Sequence, residues 1–326
     1  MIKLIMVSCL VAIVTTVYAQ PIFDAIKTND LQGVKALIEQ DTSVIRLKDP
    51  GGNTPLHRAV IGGSLPIVEY LLTSGAQIDA PDNRGFTPLH YSSSYNFKSI
   101  ASLLIEKGAA INAKENRGLT PIFLAARSGN LSLVKMMVEK GADPNGKIKG
   151  VWVTPLSWAA ENGFEDVVNY LLDQKVEIDT GSIQLKRFSV TKGLGRLFIA
   201  LKDKGADFRL RNNNGGGLVH LAAEGGDVEI VKYFLKNSPD MEMKDRYGWT
   251  PLHYAAYNEK TEAVSFLLEK GARSDARDLS GKTAYNIAEQ RGNAELIKLM
   301  KGAKTDKEPQ KFPLLTGKYL GQSVPG

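Results

Sequence analysis

The sequence predicts an all-α repeat solenoid: stacked helix-turn-helix units joined by hairpin-like finger loops. Three observations carry that prediction. A four-residue phrase recurs at spacings of 33 or 34 residues with one gap: Thr54-Pro55-Leu56-His57, Thr87-Pro88-Leu89-His90, Thr120-Pro121-Ile122-Phe123, Thr154-Pro155-Leu156-Ser157, Gly217-Leu218-Val219-His220, Thr250-Pro251-Leu252-His253 and Thr283-Ala284-Tyr285-Asn286. A second marker keeps the same period with small slips: Gly75-Ala76, Gly108-Ala109, Gly141-Ala142, Gly205-Ala206 and Gly271-Ala272. Between the markers lie stretches such as Ile67-Val68-Glu69-Tyr70-Leu71-Leu72, whose apolar residues have helical spacing. Recurrence at this length is the mark of a repeat architecture.

Each position of the phrase has a physical reason. A threonine hydroxyl accepts from an otherwise orphaned N–H at a helix start, and a proline after it has no N–H to leave unpaired. Leu56, Leu89, Leu156 and Leu252 then face the core. The small pairs Ala125-Ala126, Ala159-Ala160, Ala222-Ala223 and Ala255-Ala256 let two helices approach closely. Gly63, Gly129, Gly163 and Gly226 can take the left-handed conformation that ends the first helix of each pair.

In chain order, residues 1–19 read as a secretory signal peptide. Lys3 precedes an apolar run from Leu4 to Val17, and Val17-Tyr18-Ala19 suits cleavage after Ala19. The run is short for a membrane span, which needs about 20 residues; left uncut, it would be an anchor. Export makes the protein periplasmic or secreted, and cleavage removes Cys9, the single cysteine. The repeat domain covers 20–303. It comprises a capping unit at 21–50, repeats at about 51–83, 84–116, 117–150 and 151–179, a degenerate unit at 180–213, repeats at 214–246 and 247–279, and a shortened last repeat at 280–303. The degenerate unit keeps the second-helix phase (Leu197, Phe198, Leu201) but has lost the four-residue phrase. Residues 304–326 are expected to be a flexible tail. Within it, Phe312-Pro313-Leu314-Leu315 and Tyr319-Leu320-Gly321-Gln322 are similar to the entry segment of periplasmic Tol-type β-propeller proteins. A plain tail, a docking peptide and a remnant of a second domain all fit that segment.

Over about residues 21–303 these phrases resemble the ankyrin repeat family. The resemblance implies protein binding without catalysis, with partners docking on the concave side formed by finger tips and exposed first-helix positions. It also implies a role for His57, His90, His220 and His253, which share one slot of the repeat. There each would hydrogen-bond backbone near a finger and lock one repeat to the next.

Composition excludes most chemistry. Hydrophobic residues are 43% and charged residues 23%, an ordinary globular balance, and the net charge of +6 is mild. With all four histidines in structural slots, none is left as a general base, triad member or metal ligand. One cysteine excludes a multi-cysteine metal site, and its loss with the leader leaves none for thiol catalysis. Asn214-Gly215-Gly216-Gly217 lacks the lysine of a phosphate loop and reads as a finger turn. The expectation is a monomeric non-enzyme with no cofactor, no metal and no membrane span after cleavage. Its partner is a protein rather than nucleic acid. Two settings stay open: an extracytoplasmic scaffold, or a secreted effector that engages host-cell proteins. Residues 181–211 concentrate Lys186, Arg187, Lys192, Arg196, Lys202, Lys204, Arg209 and Arg211 against Asp203 and Asp207. That unit is either an anion-attracting surface or a solvated, drifted repeat.

The candidate partner-binding residues are exposed aromatics and arginines, the types enriched at binding hot spots. Finger slots hold Arg84 and Phe86, Arg117, Trp152, and Tyr247 and Trp249. The slot two residues before the helix-ending glycine position holds Tyr95, Arg127 and Tyr257. Tyr91, Trp158 and Tyr254, each after the histidine slot, are expected in the core.

Overall fold

The structure, a computed structural model, describes residues 21–146, 148, 153–208, 213–237 and 240–302. The expected leader (1–19), the tail (304–326), Trp152, Arg209 and Arg211 lie outside the described residues. Regular structure among the described residues is helical, with no strand, so both units are all-α repeat solenoids. The chain divides into Met1–Glu177 and Ile178–Gly326, close to where the sequence loses its four-residue phrase.

The first unit begins with α1 (21–27), α2 (Leu31–Gln40) and a 3-10 turn (Thr42–Arg46). Four helix pairs follow: α3 (Pro55–Ile61) with α4 (Leu65–Thr73), α5 (Pro88–Ser94) with α6 (Lys98–Glu106), α7 (Pro121–Arg127) with α8 (Leu131–Glu139), and α9 (Pro155–Asn162) with α10 (Glu165–Asp173). The second unit has α11 (Ile183–Thr191) with α12 (Gly195–Asp203), α13 (Leu218–Gly225) with α14 (Val228–Asn237), α15 (Pro251–Tyr257) with α16 (Thr261–Glu269), and α17 (Ala284–Arg291) with α18 (Ala294–Gly302). Within each unit first helices pack on first helices and second helices on second helices.

The local reasons match the sequence. Thr54, Thr154 and Thr283 cap their helices, each accepting the N–H three residues on. Leu56, Leu89, Leu156 and Leu252 are fully buried, as are the alanine pairs. Gly63, Gly129, Gly163 and Gly226 are all left-handed. At Gly129 (φ 72) a Cβ would lie 2.7 Å from the Phe164 ring, so glycine is required there for space as well as conformation. Asn96 (φ 63) and Glu259 (φ 56) take that turn without glycine.

The degenerate repeat keeps both helices, more than its second-helix phase alone promised. Ser182 replaces threonine as the cap of α11 by accepting from the Leu185 N–H at 3.1 Å. Leu185, Ser189 and Val190 are buried against the stack. Lys186 is buried too, so the basic surface expected at this repeat has one cation fewer.

The histidines brace successive repeats. In His57, His90 and His253, Nδ1 accepts the backbone N–H of Thr54, Thr87 and Thr250 at 3.1, 3.1 and 3.2 Å. That fixes the proton on Nε2, which donates to the carbonyls of Phe86, Leu119 and Lys282 in the next finger at 3.0, 3.1 and 3.2 Å. His220 donates in the same way to Trp249 O at 3.0 Å. Its Nδ1 has no partner: Gly217 lacks the hydroxyl that Thr54, Thr87 and Thr250 set against this nitrogen at 2.9, 2.9 and 2.8 Å, and the backbone N–H of Gly217 does not bond it either. The converse defect occurs at Phe123: with a ring in the histidine slot, the Thr120 hydroxyl is left unpaired. All four imidazoles are fully enclosed, and burial pushes their pKa values below the usual 6.5.

Candidate functional site

The fingers that begin at Asp82, Glu115, Asp245 and Asp278 are each shaped by that one acidic residue. Asp82 accepts the N–H groups of Arg84 and Phe86, both at 2.8 Å, and Asp245 does the same for Tyr247 and Trp249, both at 2.9 Å. Glu115 serves Arg117 and Leu119, and Asp278 serves Ser280 and Lys282. The next first helix adds a tyrosine to two of these turns. Tyr91 donates to Asp82 at 2.7 Å and Tyr254 to Asp245 at 2.8 Å. Burial works against ionisation of Asp82, but the Tyr91 hydroxyl, the two N–H groups and the Arg84 charge outweigh it and hold its pKa below the usual value. Several neighbouring fingers are joined by a backbone bond, such as Asn116 N–H to Arg84 O at 3.1 Å and Leu279 N–H to Tyr247 O at 2.9 Å. Finger side chains are therefore presented from a fixed backbone.

Two clefts open on the finger side, one in each unit. The first, of about 680 Å³, brings together five of the sequence-predicted residues: Arg84, Phe86, Tyr95, Arg117 and Arg127. Phe86 is half-buried with the Arg84 guanidinium 4.8 Å from its ring centre, while Arg84 also donates to the Tyr91 hydroxyl at 2.7 Å. Tyr95 is 50% exposed and stacks between Tyr91 and Phe97. The second cleft, of about 690 Å³, gathers the other three described candidates, Tyr247, Trp249 and Tyr257. Tyr247 and Tyr257 are half exposed. The Trp249 indole lies 5.4 Å from Tyr257, and its N–H donates to Asp278 at 3.2 Å. Both volumes suit a small ligand or a few side chains of a partner.

Two sequence assignments change. Tyr95 is one position later in register than Arg127 and Tyr257: α5 ends at Ser94 and the left-handed residue is Asn96, so Tyr95 caps the helix. Trp158 is half-buried rather than core. Phe123 already fills the interior beside it, edge-on at 5.8 Å, and one face of the indole is left for the Arg127 guanidinium at 5.5 Å. Tyr91 is buried as expected, as is Tyr254, yet Tyr91 also lines the first cleft.

Sequence reasoning missed Leu279 and Arg291 in the second cleft. Leu279 is 80% exposed at a finger tip, in the slot after the acidic residue, where Asn83 and Arg246 stand in other fingers. Arg291 ends α17, lies 5.1 Å from the Tyr257 ring centre, and pairs with Glu259 at 3.0 Å. An exposed leucine in a polar finger slot was a readable signal; Arg291 needed the fold. Among the described residues no cluster of three or more metal-ligating side chains forms, and no helix is long and apolar enough to cross a membrane.

A family model described as ankyrin repeats (3 copies) matches residues 22–115, 79–148, 110–182, 189–278 and 219–311. No curated protein matches the chain.

Proposed function

The chain belongs to the ankyrin repeat family, and on that premise we propose that it is a non-catalytic protein-interaction scaffold acting outside the cytoplasm and binding through its two finger-side clefts. Family membership supports a protein–protein interaction role. The observation that carries the finer reading is the convergence of eight candidate residues, chosen from sequence slots alone, on those clefts. A stacked backbone loses little entropy on docking, and aromatic and arginine anchors supply most of the affinity. The absence of catalysis rests on the accounting of reactive groups: every imidazole is buried and donates its Nε2 proton to a backbone carbonyl. Action outside the cytoplasm rests on the leader-like residues 1–19. The same leader fits a secreted effector; cell fractionation separates the two, since a protein confined to the envelope is not an effector.

The test is affinity capture from native envelope and culture medium with the full chain and with a Phe86→Ala/Trp249→Ala variant. The expected outcome is a partner retained by the parent and depleted with the variant, at unchanged helical circular dichroism. Equal capture by both proteins would place binding on another face.

A further inference from the structure

We propose that the first cleft is a peptide site that takes an acidic side chain next to an aromatic or branched aliphatic one. The proposal rests on the protein-binding reading above and specifies which part of a partner docks there. Its basis is a mismatch of charge at one place. Three guanidiniums, of Arg84, Arg117 and Arg127, line the cleft, and no carboxylate does among the described residues. The two nearby acids stand behind the wall rather than in it. Asp82 and Glu115 side chains are each only 2% exposed, and one oxygen of each takes both N–H groups of its own finger; the other oxygen of Asp82 accepts from Tyr91 and lies 3.7 Å from Arg84, and the other oxygen of Glu115 faces Arg117.

The guanidiniums differ in what they have left to offer. Arg84 gives one donor to Tyr91. Arg117 stands 3.8 Å from Glu115, too far for a hydrogen bond, and its side chain is 76% exposed. Arg127 is exposed and meets only the Trp158 face. Among the described residues no acceptor bonds the guanidinium of Arg117 or Arg127, and each such group carries five donors in a planar fork matched to a carboxylate. Between them the floor is apolar, formed by Phe86, Leu119 and Trp158. A carboxylate held by the arginines, with a neighbouring apolar side chain on that floor, satisfies both halves of the cleft. The second cleft lacks this pattern: its cations are one arginine, already paired with Glu259, and Lys282, and Asp278 lies in its wall.

The experiment is selection of a random phage-displayed peptide library on the full chain, repeated with Arg117→Glu/Arg127→Glu and with Trp249→Ala. Both arginine side chains are exposed, so a thermal melt should be unchanged and serves as the folding control; Arg117→Gln/Arg127→Gln is the milder second variant. The expected result is enrichment of Asp or Glu beside Trp, Phe, Leu or Ile, abolished by the charge reversal and kept by Trp249→Ala. In a titration with an enriched peptide, changing its acid to the amide should weaken binding by about tenfold or more, and the loss should shrink at high salt. Peptides without acidic enrichment, or with enrichment that survives both arginine variants, overturn the site. If peptides are selected but are lost only with Trp249→Ala, this inference falls while the scaffold reading stands. If no peptide is selected and no partner is captured in the earlier experiment, the scaffold reading falls with it.

Discussion

The two clefts occupy the same slots of the repeat and are finished differently. Arg84 and Phe86 correspond to Tyr247 and Trp249, and Tyr91 to Tyr254, each tyrosine donating to the acid that shapes its finger. The scaffold beneath them is not equal. The carbonyl of Phe86 is held by His57, whose other nitrogen is satisfied by Thr54; the carbonyl of Trp249 is held by His220, whose other nitrogen has no partner. The first cleft is cationic over an apolar floor, while the second is aromatic and stands on a weaker brace. The repeat fixes where a side chain is presented, and the residue placed there decides what it can hold.

The largest effect expected is on binding. Against the captured partner, Trp249→Ala or Phe86→Ala should cost about 2–4 kcal/mol if that cleft holds an anchor, measured by titration calorimetry. A loss from one substitution alone would show that one cleft dominates. Next in size is the brace. His90→Ala and His253→Ala should each lower unfolding stability by about 1–3 kcal/mol through a lost buried hydrogen bond, read by denaturant unfolding. His220→Ala should cost less, since one of its nitrogens is already unpaired. A change in function with untouched stability would contradict the structural role of these rings.

Smaller still is repair of the second cleft's brace. Gly217 has φ −79 and ψ −172, which any residue adopts, and an added Cβ would meet only the Met243 sulfur at 3.2 Å. Gly217→Thr should therefore supply the missing cap and raise stability by about 1 kcal/mol; a lower melting temperature would mean that Met243 cannot yield. The gentlest test changes no residue. Burial lowers the pKa of all four histidines below 6.5, so as pH falls through that value the unfolded chain takes up protons that the folded chain refuses. Stability is fully present above pH 6.5 and declines below it. Asp49, Asp82 and Asp278, held below 3.8, extend the decline at lower pH, whereas Glu224 and Glu242, raised by burial, oppose it. A melting temperature that stays flat on acidification just below neutrality would count against the brace.

Much of this was legible in the sequence because the repeat ties chemistry to phase. The phrase Thr54-Pro55-Leu56-His57 names a cap, a first turn, a core residue and a brace, and all four take those roles. Legibility failed where phase depends on a residue that does not announce itself. Asn96 makes the left-handed turn without glycine, so no marker shows that Tyr95, eight residues after Thr87, lies one position beyond the slot of Arg127 and Tyr257. The slot of Trp158 points to the core, but its burial depends on Phe123 in the preceding repeat, a partner no single repeat displays. A second ladder was also invisible. Asp79, Asn112 and Asn145 accept the N–H groups of Ala110, Asp143 and Glu177 at 2.8–2.9 Å, tying each repeat to the next through short polar side chains that look like ordinary loop residues.

The central claim is that partners are held on the finger side and not on the outer helices. It is tested most directly by placing a photo-reactive phenylalanine analogue singly at Tyr95, Tyr257, Glu69 and Glu262, all exposed, and irradiating with the captured partner. The account predicts covalent adducts from the Tyr95 and Tyr257 positions and none from Glu69 on α4 or Glu262 on α16. Adducts from the two helix positions, with none from the clefts, would contradict it.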